Sequence, residues 1–207
     1  MRRFIAALLM LLSVYSRAEA DPFASRIAHP LAPTELLAQL HRGGNVIYFR
    51  HAATTVTATG EASQLGNCST QRNLNDAGRD QARAIGAAFR RLGIEVDAVL
   101  ASPYCRTLDT ARLAFGRVEV APDLFSLGQP QHPDDRARAA WLRQRLGMAA
   151  APGTNTVLVS HGSPLDSVAG EFLDEGEAAV ARPDAKGGFR LLARVRAEQW
   201  DAWYPAR

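Results

Sequence analysis

Hydrophobic and polar positions follow two different periods along this chain, and the periods assign the elements. Three stretches are apolar over strand length: Asn45-Val46-Ile47-Tyr48-Phe49, residues 97–101, and Thr156-Val157-Leu158-Val159-Ser160. Short runs of this kind, bounded by turn residues, read as strands buried on both faces. Elsewhere Ala77, Ala84, Ile85, Ala88, Phe89 and Leu92 recur at helical spacing, which predicts a long helix capped by Asn75 or Asp76 and stopped by Gly93. Thr34 is expected to cap a short helix over 35–41, ended by Gly43-Gly44, and Ser102-Pro103 to open a helix with Pro at its first position. An amphipathic helix follows over 134–146, and Gly162-Ser163-Pro164 opens another. Residues 118–120 form a short strand, while 178–181 and 189–195 form a terminal pair around a turn containing Gly187-Gly188. Residues 21–33 read as an extended leader with three prolines, and 52–72 as polar loop.

Strands alternating with helices predict a three-layer α/β/α sandwich with a mostly parallel central sheet. In such sheets ligands gather at the carboxyl ends of the strands. Arg50-His51 and His161 each stand directly after an apolar strand, and the helix carrying Arg106 begins just after a third. Three distant segments therefore converge on one rim.

Two guanidinium groups and two imidazoles at one rim suit a multiply charged oxyanion. Arginine presents a planar fork of donors that matches phosphate oxygens in pairs and stays protonated. A neutral imidazole can attack phosphorus if a hydrogen bond to its other nitrogen fixes the tautomer. His51 is the candidate nucleophile, and Arg50, Arg106 and His161 would hold the equatorial oxygens during in-line transfer. Thr54, Thr55 and Thr57 are candidate hydroxyl donors to the ligand. Cys105 is a weaker nucleophile candidate because no Cys-x5-Arg loop surrounds it, and Arg72, shortly before the long helix, reads as a surface residue, with contact to substrate as the alternative.

Composition narrows the compartment and the partners. The chain has 207 residues, 47% hydrophobic and 22% charged, enough for one globular domain. Its start reads as a secretion signal over 1–20: Arg2 and Arg3, an apolar stretch over 5–12, then Ala18-Glu19-Ala20 at the cleavage site. The domain then runs over 21–207, and a periplasmic or secreted location without stable membrane insertion is expected. The formal net charge of +3 falls by two once Arg2, Arg3, Arg17 and Glu19 leave. The remaining arginines are scattered, without the basic block that tracks nucleic acid. Cys68 and Cys105 are the two cysteines, and both a disulfide and two separate buried thiols are open readings. The histidines lack metal-ligand spacing, and no G-x-S-x-G elbow supports a serine hydrolase.

Four blocks carry a resemblance. They are Phe49-Arg50-His51, then Asn73-Leu74-Asn75-Asp76-Ala77-Gly78-Arg79-Asp80-Gln81-Ala82, then Ala101-Ser102-Pro103-Tyr104-Cys105-Arg106-Thr107-Leu108-Asp109-Thr110-Ala111, and Val159-Ser160-His161-Gly162. In this order they resemble the histidine phosphatase superfamily, which includes the cofactor-dependent phosphoglycerate mutases. The resemblance implies a phosphoglycerate mutase-like fold, a phosphohistidine intermediate on His51, a phosphate pocket of Arg50, Arg106 and His161, a small phosphorylated substrate, and neither metal nor cofactor. The chain departs from the family where Ala52-Ala53 replaces Gly-Glu after the histidine and where Thr57 stands in place of the mutases' Asn. The stretch Asp123-Leu124-Phe125-Ser126-Leu127 also lacks the Glu that serves mutase-like members as general acid, which argues against mutase activity. Glu177 is the leading substitute, with Asp166 and Glu175 as alternatives. The expected function is hydrolysis of a phosphomonoester or phosphoramidate. A non-catalytic phosphoryl-binding module and a phosphohistidine protein phosphatase remain the alternatives.

Overall fold

The computed structural model describes residues 25–55, 64–128 and 134–203, and in it the apolar runs line up as one six-stranded sheet. The elements are α1 (Pro33–Arg42), β1 (Asn45–Arg50), α2 (Asp76–Leu92), β2 (Val96–Ala101), α3 (Cys105–Phe115), β3 (Glu119–Val120), α4 (Asp135–Leu146), β4 (Asn155–Ser160), α5 (Gly162–Ala169), β5 (Ala178–Pro183), β6 (Phe189–Val195) and α6 (Gln199–Ala202). The strand order is β3-β2-β4-β1-β5-β6. The first four in that order are mutually parallel, and β5 and β6 join antiparallel. Helices cover both faces, as a mostly parallel sheet requires. The expected signal over 1–20 and the candidate donor Thr57 lie outside the described residues.

Alternation along each strand builds two cores. Ile47, Phe49, Val157 and Val159 face Leu36 and Leu40 of α1, Ile85 and Phe89 of α2, and Trp200 of α6. Val46, Tyr48 and Leu158 face Leu142 and Leu146 of α4 and Leu165 of α5. Each large side chain so buried contributes about 1.5–3 kcal/mol of transfer free energy. The α6 turn carries no periodic signal over its few residues, yet Trp200 is fully buried and packs on Phe89 with ring centroids 4.8 Å apart.

Two helix starts differ from expectation. Pro33, not a residue after Thr34, opens α1, and the Glu35 carboxylate reaches back to accept from the Ala32 N–H at 3.3 Å. Proline suits the first helical position because its missing donor has no partner there in any case. The α3 helix begins at Cys105 rather than at Pro103. The Thr107 hydroxyl donates to the carbonyls of Ser102 and Tyr104 at 2.7 and 2.6 Å, closing a turn over 102–104 ahead of the helix. Asn75 does cap α2, its side-chain oxygen accepting from Gly78 N–H at 2.8 Å.

At the foot of the sheet, opposite the rim of interest, Asn45 and Asn155 are paired across β1 and β4 and fully buried. Asn45 Nδ2 donates to Asn155 Oδ1 at 2.7 Å, and Gln39 Nε2 donates to Asn45 Oδ1 at 2.9 Å. Asn155 Nδ2 donates to the Leu40 and Glu95 carbonyls. Every bond in this network is satisfied inside the protein, as buried amides demand.

Candidate active site

The last paired residues of β1 and β4 are Arg50 and Ser160, so His51 and His161 leave the sheet side by side. Their ring centroids stand 5.6 Å apart, and both residues are buried. The α3 helix begins beside them and carries Arg106 at its second position, while α5 begins directly after His161. Both helix starts direct backbone N–H groups and positive dipole ends toward this rim.

The backbone around His51 is tied at every peptide. His51 N–H donates to the Ser160 carbonyl, and the His51 carbonyl accepts from Gly176 N–H, both at 2.9 Å. Ala52 N–H donates to the Thr110 hydroxyl at 3.0 Å, and Ala53 N–H to Gln81 Oε1 at 3.0 Å. The Ala53 carbonyl accepts from Asn75 N–H at 3.2 Å. Gly78 lets α2 press on this loop: a Cβ there would sit 1.9 Å from the Ala53 oxygen. Gly78, Gln81 and Thr110, three residues of the quoted blocks, thus shape the loop that follows the histidine rather than touching a ligand.

His51 Nδ1 lies 2.9 Å from its neighbour's carbonyl, Ala52 O. A carbonyl only accepts, so Nδ1 carries the proton and Nε2 keeps its lone pair. Burial, then the positive charge of Arg106, holds the imidazole well below its ordinary pKa of 6.5, so it is neutral at pH 7. His161 is lowered for the same two leading reasons. Its Nδ1 lies 3.4 Å from Arg106 Nη2 and its Nε2 3.0 Å from the Ser102 hydroxyl, which places its proton on Nε2. Tyr48 Oη donates to the His161 carbonyl at 2.7 Å, and burial raises the phenol's pKa.

The arginines approach from separate sides. Arg106 is 3% exposed and stacks 4.4 Å from the Tyr104 ring, which meets His161 edge-on. Arg50 donates through Nη1 to the Leu173 carbonyl at 2.9 Å, packs over Phe172, and reaches Glu175 with Nη2 at 3.6 Å. Its Nε is buried without a hydrogen-bond partner among the described residues. Glu175 also accepts from Thr54 N–H at 2.9 Å and Thr54 Oγ1 at 2.7 Å.

His51, His161, Arg50 and Arg106 therefore come together. Glu177 does not join them through its side chain. Its carboxylate binds Arg194 in a fork, Oε1 to Nε at 2.9 Å and Oε2 to Nη2 at 2.5 Å, and Oε2 also accepts from Asp174 N–H. Only its backbone meets the site, accepting from Arg50 N–H at 3.0 Å. Asp166 is exposed on α5. Glu175 is the carboxylate at the pocket. Sequence reasoning passed over Ser102 and Tyr104, although both lie in the quoted block around Arg106. The other cysteine question is answered as well: Cys68 and Cys105 form a disulfide with Cα atoms 5.7 Å apart, directly beside Arg106.

Residues 46–125 match the family model of the histidine phosphatase superfamily (branch 1). No curated protein matches the chain by sequence. Among solved structures, the protein histidine phosphatase SixA complexed with tungstate is similar at TM-score 0.53 and 18% identity, covering 75% of this chain and 98% of that one. A phosphoserine phosphatase mutant from Entamoeba histolytica, in complex with phosphoserine, matches at 0.51 and 15%, covering 74% and 98%. A mycobacterial glucosyl-3-phosphoglycerate phosphatase with inorganic phosphate matches at 0.51 and 16%, covering 75% and 99%. Identities this low carry the fold: a six-stranded sheet flanked by helices, of the phosphoglycerate mutase-like type.

Proposed function

We propose that this chain is a histidine phosphatase of the superfamily whose branch 1 model matches residues 46–125, and that it hydrolyses a phosphomonoester through a phosphohistidine on His51. One observation carries the reading: the His51 imidazole is neutral, its Nδ1 proton is held by Ala52 O, and its Nε2 is left as a nucleophile among Arg50, Arg106 and His161. In the first step Nε2 forms a bond to phosphorus as the bond from phosphorus to the leaving oxygen breaks. The guanidinium groups of Arg50 and Arg106 hold the oxygens on which charge builds, with His161 placing Arg106 through its Nδ1. The leaving oxygen takes a proton from water at the mouth. In the second step a water oxygen attacks phosphorus, the nitrogen–phosphorus bond breaks, and inorganic phosphate leaves.

Glu175 suits the second step better than the first. Its two oxygens accept from Thr54 N–H and Oγ1 and stand beside Arg50, an acceptor arrangement placed to take the proton of the attacking water. The role first considered for Glu177 passes to this residue. The steps draw on this chain's own side chains, and chelators are expected to leave turnover intact. The Cys68–Cys105 disulfide supports a working place in an oxidising compartment, in line with the secretion signal read at 1–20.

The test is hydrolysis of an aryl phosphate together with acid-quench trapping of labelled enzyme. Turnover with label on His51, and neither in His51→Ala, is the expected result. Phosphate binding without turnover would leave a binding module instead.

A further inference from the structure

We propose that Arg72 is a third phosphate-binding guanidinium of this pocket, and that the Cys68–Cys105 disulfide with Gln71 is the clamp that positions it. The inference rests on the phosphoryl site described above and adds a residue and a device to it.

Arg72 belongs to the stretch that reads as polar loop, yet it stands at the pocket. Its Nη2 lies 4.0 Å from Glu175 Oε1, the oxygen that Arg50 Nη2 approaches at 3.6 Å. Two guanidinium groups thus converge on one carboxylate oxygen, and the Arg72 side chain is only 23% exposed. Its charge is the smallest of those that lower both imidazoles.

The loop owes its position to α3. Cys68 is bonded to Cys105, the residue before Arg106, so one covalent link fastens the Arg72 loop to the start of the Arg106 helix. Gln71, beside Arg72, accepts from Cys105 N–H through Oε1 at 2.9 Å and donates through Nε2 to the Gln64 carbonyl at 3.0 Å. Asn73 Nδ2 donates to the Cys68 carbonyl at 2.6 Å. The residues on both sides of Arg72 are therefore held by bonds that start at Cys68 or Cys105. A bridge that served stability alone would have no reason to end next to one phosphate arginine and close the loop bearing another.

The experiment measures inorganic phosphate binding by calorimetry, with melting temperature recorded for every form. Arg72→Ala is expected to weaken binding roughly tenfold, the size of one lost charge-assisted hydrogen bond. The Cys68→Ser/Cys105→Ser variant, and the parent treated with a phosphine reductant, are expected to weaken it several-fold. In the Arg72→Ala background, loss of the bridge should add nothing further, because the clamp acts through that side chain. Gln71→Ala keeps the disulfide while loosening the loop, and supplies the same test should the serine variant fail to fold. Undiminished phosphate affinity in Arg72→Ala overturns the proposal. So do bridge-less forms that melt lower but bind as the parent does, or that lose affinity equally in both backgrounds. Binding needs no turnover, so a protein that shows these losses yet hydrolyses nothing sinks the hydrolytic reading alone.

Discussion

Two groups of arginine and glutamate sit close together in this protein, and they are built on opposite principles. Around Arg194, two carboxylates meet one guanidinium: Glu177 binds it in a fork and Glu171 adds a contact at 3.3 Å, with all three side chains less than 10% exposed. Glu171 also anchors the start of the described chain, accepting from Arg26 N–H at 2.6 Å. Around His51 the arrangement differs: Arg50 and Arg72 both approach the carboxylate of Glu175, at 3.6 and 4.0 Å, while Arg106 lies against His161. A buried charge needs compensation. The Arg194 group is closed on itself through a forked ion pair and is part of the scaffold, whereas the His51 group gathers guanidinium groups beside two neutral imidazoles, the arrangement proposed above to receive a phosphoryl group. Acidic residues near a strand end can serve either purpose, and the partner each carboxylate meets, Arg194 for Glu177 and Thr54 for Glu175, decides between them.

The contrast can be broken experimentally, starting with the largest effect. His51→Ala should lower kcat on an aryl phosphate by about 10⁴-fold or more, as removal of a nucleophile does; a variant that retains most of its turnover would end the assignment. In the scaffold group, Arg194→Met leaves two buried carboxylates uncompensated and is expected to cost about 3–5 kcal/mol in urea unfolding. Arg106→Ala should cut kcat by about 10²–10³-fold, the usual loss for one transition-state donor. Glu175→Gln set against Glu177→Gln sharpens the comparison. The first should make the phosphoenzyme accumulate as a burst, and the second should lower the denaturation midpoint. An exchange of those two outcomes would put the catalytic carboxylate back at Glu177.

The smallest effect is a pH dependence. Both imidazoles have folded pKa values below the unfolded 6.5, so between those values the unfolded chain binds more protons. Stability should be full above pH 6.5 and decline as pH falls below it. NMR titration of the two rings should find each midpoint under 6.5, and a ring that titrates at or above that value would contradict the burial described here.

The rim was readable in the chain because strand ends are. Apolar runs that stop at Arg50, at Ala101 and at Ser160 mark where a parallel sheet meets solvent, and the residues just beyond them had to be neighbours. The long α2 helix was equally plain from its cap and its spacing. What the pattern did not carry was direction within loops. Glu175 and Glu177 are two residues apart with the same chemistry, and only the packing of Arg194 from β6 pulls one away from the pocket. Arg72 looked like surface because its placement comes from a covalent bond to a residue 37 positions from Cys68 in the chain. The two-residue delay before α3 goes with a threonine hydroxyl that bonds the carbonyls of Ser102 and Tyr104, which helix propensity does not describe.

The buried amides at the foot of β1 and β4 bear on chemistry at the other end of the same strands. Because side chains alternate along a strand, sliding β1 by one residue against β4 would turn the His51 imidazole to the wrong side of the sheet. That slide would also strand Asn45, Asn155 and Gln39 without their mutual bonds in a place water does not reach. The amides act as an indexing pin, and the alignment of two histidines at the top is set by a fit made six residues below them.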